Sequence, residues 1–171
     1  MINVRAAQPA DASMLAAMGA ATFSETYFAD NTPADMRAHL EANFHPDLQA
    51  RELADPGTWV IVAEVDGTPA GYAKLQLGAA PACVDAAGPI EIARIYVTAG
   101  YHGRGIGAAL MNACLERGRE LGAQTIWLGV WENNQRAQAF YRRFGFVECG
   151  DHEFVLGSDR QRDIVMSRSL T

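Results

Sequence analysis

Three glycines at alternate positions, Gly103, Gly105 and Gly107, sit in the run YHGRGIGAAL, and an apolar helical pattern begins at once behind them. Glycine is a poor residue on which to open a helix unless the backbone must come close to something. The first N–H groups of a helix have no internal partner and lie at the positive end of its dipole. Glycines there let a bulky anion reach those groups, and a pyrophosphate is the natural guest. Arg104, between them, is placed to add a charged hydrogen bond. A tight turn alone needs fewer glycines.

Two nucleotide readings of this loop do poorly. A Walker loop needs Lys and then Ser or Thr after its last glycine, and here Gly107 is followed by two alanines. The dinucleotide fingerprint G-x-G-x-x-G/A does match GRGIGA, with Glu132 beyond the next strand. However, the loop lies past mid-chain behind an antiparallel hairpin. It is also separated from its strand by TAGYH, and too few units follow it to complete a nucleotide-binding sheet.

The elements that must position the loop are legible from periodicity. INVRAA alternates as a short strand, and PADASMLAAMGAATFSETYF reads as a helix with Asp11 or Ser13 near its cap. Thr32 before Pro33 opens a second helix, and PDLQARELA forms a third that stops before Pro56. TWVIVAEV, the turn Asp66-Gly67 and TPAGYAKLQLG form a hairpin. AAPACVDAAGP is a small-residue loop, and IEIARIYV is a strand whose alternation slips near Ala93–Arg94, as a β-bulge produces. The helix behind the glycines has Ile106, Ala109, Leu110, Ala113, Cys114 and Leu121 on one face, with Gly122 as its stop. QTIWLGVW is a buried strand, NNQRAQAFYRRFG a helix, and two closing antiparallel strands follow. The fold class is α+β (mixed α/β), a twisted, mostly antiparallel central sheet flanked by helices, in one domain over residues 1–171.

Composition narrows the function. The chain has 171 residues, 49% apolar and 20% charged, as expected of a soluble globular domain. Its net charge of −6 argues against a nucleic-acid partner held on a basic face. No secretory signal or membrane span is seen, so no membrane partner is expected. Cys83, Cys114 and Cys149 are far apart in sequence and odd in number, with no CxxC pair. They read as free structural cysteines in a reducing cytoplasm, with neither a disulfide framework nor a metal site.

EIARIYVTAGYHGRGIGAALM resembles the acetyl-CoA motif of the GNAT N-acetyltransferase superfamily, a strand followed by a loop of form [Q/R]-x-x-G-x-[G/A] and a helix. VWENNQRAQAFYRRFGF resembles its second signature through Asn134, Ala137, Phe140, Tyr141, Gly145 and Phe146. The ending GDHEFVLGSDRQRDIVMSRSL is similar to the PaiA-like spermidine/spermine acetyltransferases in particular. One departure is His102, where the superfamily often has Gln or Arg.

The resemblance implies a GNAT fold with splayed middle strands, acetyl-CoA as co-substrate without a metal, and direct transfer to a small primary amine, a polyamine being favoured. A protein or peptide acceptor and a non-catalytic acyl-CoA sensor are its rivals, and a homodimer is left open. It implies that the loop from His102 through Gly103, Arg104, Gly105 and Ile106 to Gly107 holds the pyrophosphate, and that Ile95, Tyr96 and Val97 lie along the pantetheine arm. Asn134 and Ala137 complete the cofactor site. Tyr141 is the expected proton donor to the leaving sulfur, since a phenol with pKa about 10 stays protonated near neutrality. Consecutive helix residues point about 100° apart, so one of Phe140 and Tyr141 is expected in the core and the other at the site. Glu91 is the favoured general base by position, ahead of Glu132, Glu25 and His152. Phe23, Thr26 and Tyr27 are expected to wall the acceptor site, where Glu25, Asp30, Asp35 and Glu41 offer anions. Arg136, Arg142 and Arg143 are candidates for the 3′-phosphate.

Overall fold

The computed structural model describes residues 1–84 and 87–171. Within the expected loop AAPACVDAAGP, Asp85 and Ala86 lie outside the described residues. The chain runs β1 (Ile2–Ala6), α1 (Ala12–Tyr27), α2 (Pro33–Asn43), α3 (Pro46–Ala54), β2 (Thr58–Val65), β3 (Thr68–Gln76), β4 (Ile90–Val97), α4 (Ile106–Glu120), β5 (Thr125–Trp131), α5 (Gln135–Arg143), β6 (Val147–Leu156) and β7 (Asp159–Ser169). Local chemistry sets the boundaries. The Thr32 hydroxyl accepts the Asp35 N–H at 3.2 Å, with Pro33 in the first helical position. Asp66 and Gly67 both have positive φ, 50° and 83°, which matches the twist of the β2–β3 hairpin.

The seven strands form one sheet in the order β1-β2-β3-β4-β5-β7-β6. Every pairing is antiparallel except β4 with β5, and that parallel pairing covers only Ile90 opposite Ile126 and Glu91 opposite Trp127. Beyond those residues the two central strands part. The bulge expected in β4 is present: Lys74 lies opposite Arg94 and Leu75 opposite Ile92, so Ala93 is the extra residue. A bulge bends and twists its strand, and this one falls just where β4 leaves β5.

α4 and α5 cover one face of the sheet, and α1, α2 and α3 cover the other. Ile106, Leu110, Met111, Cys114 and Leu115 are buried under the first layer with Ile90, Ile126 and Phe146. The buried face of α4 is therefore turned toward Met111, Leu115 and Gly118. Ala109, Ala113 and Leu121, expected on the same face, form its half-buried margin. At Gly118 a Cβ would come within 2.8 Å of Leu170, so the residue that breaks the apolar pattern allows the closest packing. On the other face Leu15, Val60, Val62 and Tyr72 form one cluster, and Phe23, Met36, Phe44 and Leu156 another.

The three cysteines are free, as the sequence suggests. Cys83 and Cys149 are distant in sequence, yet their Sγ atoms lie 2.8 Å apart, because Ala80, Cys83 and Val84 pack with Trp127 and Val165 beside β6. Burial and the Cys149 sulfur push the Cys83 thiol up to about 11. Among the described residues no helix is long and apolar enough to cross a membrane.

Candidate active site

The parting of β4 and β5 opens a cleft of about 790 Å³. Its first wall is the free edge of β4. The Thr98 N–H donates to Ala70 on the β3 side at 2.9 Å. Alternation along an antiparallel ladder then turns the backbone groups of Tyr96 toward β3 and those of Ile95 and Val97 into the cleft. His102 partly occupies that edge, because its Nε2 lies 2.8 Å from the Val97 carbonyl oxygen. The edge thus keeps the N–H groups of Ile95 and Val97 and the carbonyl of Ile95. Tyr96 also lines the cleft, from the face opposite Ile95 and Val97, its ring edge-on to Tyr72 at 5.6 Å, and burial raises its phenol to about 12.

The glycine loop forms the second wall. Gly103 and Gly105 have φ of 75° and 85°, a left-handed backbone that carries the chain into α4. Gly107 is helical, and a Cβ there would touch the Phe140 ring at 3.5 Å, so its role is to keep space open. Two of the expected amides are occupied: the His102 N–H donates to Ala99 and the Arg104 N–H to Tyr101. The cradle of free N–H groups therefore comprises Gly103, Gly105, Ile106, Gly107 and also Ala108. The Arg104 guanidinium stacks over the Tyr101 ring at 5.0 Å and is not part of the cleft wall.

α5 closes the site. The Asn134 side-chain carbonyl accepts the Ala137 N–H at 3.2 Å, and Asn134 lines the cleft. Gln138, which the motif did not single out, is buried and donates to the carbonyls of Trp131 and Glu132, pinning the helix to the end of β5. Tyr141 is buried yet lines the cleft, and burial, then Tyr96 and Cys114, raise its phenol well above the ordinary value. Phe140 lines the cleft as well. The expected division into one core and one site residue fails because the opening is broad enough to meet two adjacent directions of the helix. Arg136 and Arg143 line the cleft, and Arg142 turns away to Gln138.

The structure places Glu91 apart from the cleft. It sits where β4 still pairs with β5, accepts the Gln76 side-chain amide at 2.7 Å, and lies outside the cleft wall. The carboxylates that do line the cleft are Glu25, which is exposed, and Asp163, which is half-buried on β7. Asp163 had one legible signal, since strand alternation puts it on the same face as the fully buried Val165. Phe23, Thr26 and Tyr27 line the cleft as expected, with the Tyr27 ring 5.3 Å from that of Trp131.

A polar basin of about 630 Å³ adjoins Trp131, with Asp30, Glu132, Asp151, His152, Glu153 and Asp159 among its walls. Arg162 pairs there with Asp151 and Glu132. Asp35 is structural, accepting the N–H and hydroxyl of Ser158 at the β6–β7 turn, and Glu41 lines neither cavity. A buried ion network sits at the bulge: Glu52 of α3 accepts from Lys74 at 2.9 Å and from Arg94 at 2.8 Å.

A model of the acetyltransferase (GNAT) family matches residues 21–146. An uncharacterized N-acetyltransferase from the pepI 3′ region of Lactobacillus delbrueckii subsp. lactis is 41% identical over 150 residues, 87% of this chain and 86% of that one. Streptothricin acetyltransferase of Streptomyces lavendulae is 31% identical over 161 residues, 85% of this chain and 82% of that one. In fold, the chain is similar to the PaiA N-acetyltransferase of Thermoplasma acidophilum solved with coenzyme A. The TM-score is 0.80 at 17% identity, covering 99% of each chain.

Proposed function

This chain belongs to the GNAT family of acetyltransferases, and from that premise we propose that it moves the acetyl group of acetyl-CoA onto the primary amine of a small cationic acceptor, with spermidine and spermine favoured. The observation that carries the reading is the cleft at the parting of β4 and β5, walled by an unpaired strand edge, a cradle of free amides and a buried tyrosine.

Acetyl-CoA supplies an acyl group already activated as a thioester. The amides of Gly103 and of Gly105 to Ala108 offer donors to its phosphates at a helix N-terminus, and Arg136 and Arg143 add positive charge in the same cleft. The edge at Ile95 and Val97 binds an amide-bearing arm as an added strand would bind. Asn134 donates from its free amide while its oxygen caps α5. Tyr141 holds its proton at Oη throughout the working pH range, because burial disfavours the phenolate. From there it donates to the sulfur as the thiolate leaves. A cationic acceptor is supported by Glu25 and Asp163 in the cleft, by the carboxylates of the adjoining basin, and by the resemblance of the C-terminal segment to the PaiA-like enzymes.

The test is release of free thiol from acetyl-CoA against spermidine, spermine, putrescine, lysine, aminoglycosides and N-terminal peptides. The expected result is fastest release with spermidine or spermine. Release confined to peptides would replace the polyamine reading. Silence across the panel, with acetyl-CoA still raising the melting temperature, would mark a sensor.

A further inference from the structure

β6 and β7 pair so that His152 stands directly opposite Asp163. Asp163 lines the cleft, and His152 lines the polar basin beyond it. His152 Nε2 is 3.7 Å from Asp163 Oδ2, with the two side chains 36% and 13% exposed. That separation suits an ion pair but is too long for a direct hydrogen bond. A small rotation of the imidazole, or one bridging water, closes it. The pair therefore runs from an enclosed place to a wet one.

Gly129 on β5 makes room for the pair. A Cβ there would lie 2.9 Å from His152 Nε2 and 3.2 Å from Asp163 Oδ2. Its backbone is not left-handed, so small size, not conformational freedom, is what the position supplies.

An amine arriving as ammonium must lose a proton before it can attack an acyl carbon. Glu91 is outside the cleft, and of the two carboxylates inside, Asp163 is the enclosed one. We propose that Asp163 takes the proton from the acceptor ammonium and that His152 carries it from Asp163 to the basin, an inference that rests on the acetyltransferase reading of the cleft. The ammonium N–H bond breaks, and its proton neutralises the Asp163 carboxylate. The carboxyl proton then passes to the imidazole and on to solvent, which restores both groups. Ammonium and thioester become amide and thiol, with one proton released to water.

The surroundings suit a base of this kind. Tyr27 of α1, Tyr96 of β4 and Tyr141 of α5 line the cleft together with Asp163. Glu25 of α1 and Arg94 of β4 share the cleft. Burial lifts the Asp163 carboxyl to about 6, against the pull of His152 downward. Arg162, its neighbour on β7, is engaged with Asp151 and Glu132 in the basin.

The experiment is the pH dependence of kcat/KM for the amine in the wild type, D163N, H152Q and G129A. The wild type is expected to gain activity as pH rises through about 6. D163N should lose that limb and fall about 100-fold or more, with the KM for acetyl-CoA unchanged. H152Q should keep the limb, move it to higher pH and lose roughly tenfold. G129A, which displaces the imidazole without removing a titrating group, should shift the limb the same way. A wild-type limb in D163N, or a loss below threefold, overturns the assignment. Carboxyl carbon resonances read the pair without turnover, so they decide the matter even if D163N does not fold or no amine is acetylated. Asp163 must titrate near 6 in the wild type and higher in H152Q. An Asp163 midpoint unmoved by H152Q overturns the relay, whereas failure of the acetyltransferase reading shows in the thiol-release panel alone.

Discussion

The two sides of the cleft are made differently. The β4–α4–α5 side presents backbone: the edge at Ile95 and Val97 and the amides of Gly103 and of Gly105 to Ala108 come from one short stretch of chain. The α1 and β6–β7 side presents side chains, where Tyr27 of α1 meets a hairpin carrying His152 and Asp163 more than 120 residues later. A backbone site needs only the right local conformation and empty space, so a few glycines specify it. A side-chain site needs the whole sheet in register before any of its members meet.

That contrast breaks first where a side chain works on the backbone side. Y141F should lower kcat about 100-fold or more while acetyl-CoA affinity stays within about twofold, measured by steady-state kinetics and calorimetry. Glu52 joins the two sides, since it comes from α3 and holds Arg94 at the bulge of β4. E52A strands Lys74 and Arg94 as buried cations and should cost about 3–5 kcal/mol of stability, read from urea unfolding. G107V fills the anion cradle without backbone strain. The loss of charge-assisted contacts, about 1.5–3 kcal/mol, should weaken acetyl-CoA binding about tenfold or more and leave the KM for the amine unchanged.

Asp163 gives a stability signature opposite in sign to its catalytic one. Its carboxyl titrates at about 6 in the folded chain against an ordinary value of 3.8. The folded state therefore binds the proton more tightly, and the penalty for the charged form is fully present above about 6 and gone below about 4. D163N should melt higher than the wild type at pH 8, with the advantage disappearing by pH 4. The smallest effect belongs to E91Q, which should change kcat less than threefold, since Glu91 is held by Gln76 outside the cleft. A larger loss would return the base to β4.

By itself, the sequence determined the order of elements, the hairpin at Asp66-Gly67, the bulge beside Arg94, the glycine cradle, and Asn134 and Tyr141 on the closing helix. These are local: periodicity, capping and a positive φ act over a few residues, and a motif carries them intact. Only the tertiary structure decided that Arg104 stacks on Tyr101, that Ala108 joins the cradle, and that Glu91 is turned away. It also decided that Cys83 meets Cys149, that Glu52 reaches Arg94, and that Asp163 stands opposite His152. The meetings of Cys83 with Cys149 and of Glu52 with Arg94 depend on which residues two distant segments present to each other, and that of Asp163 with His152 on the pairing of one hairpin. That is set by strand register and layer packing, which no short window of sequence contains.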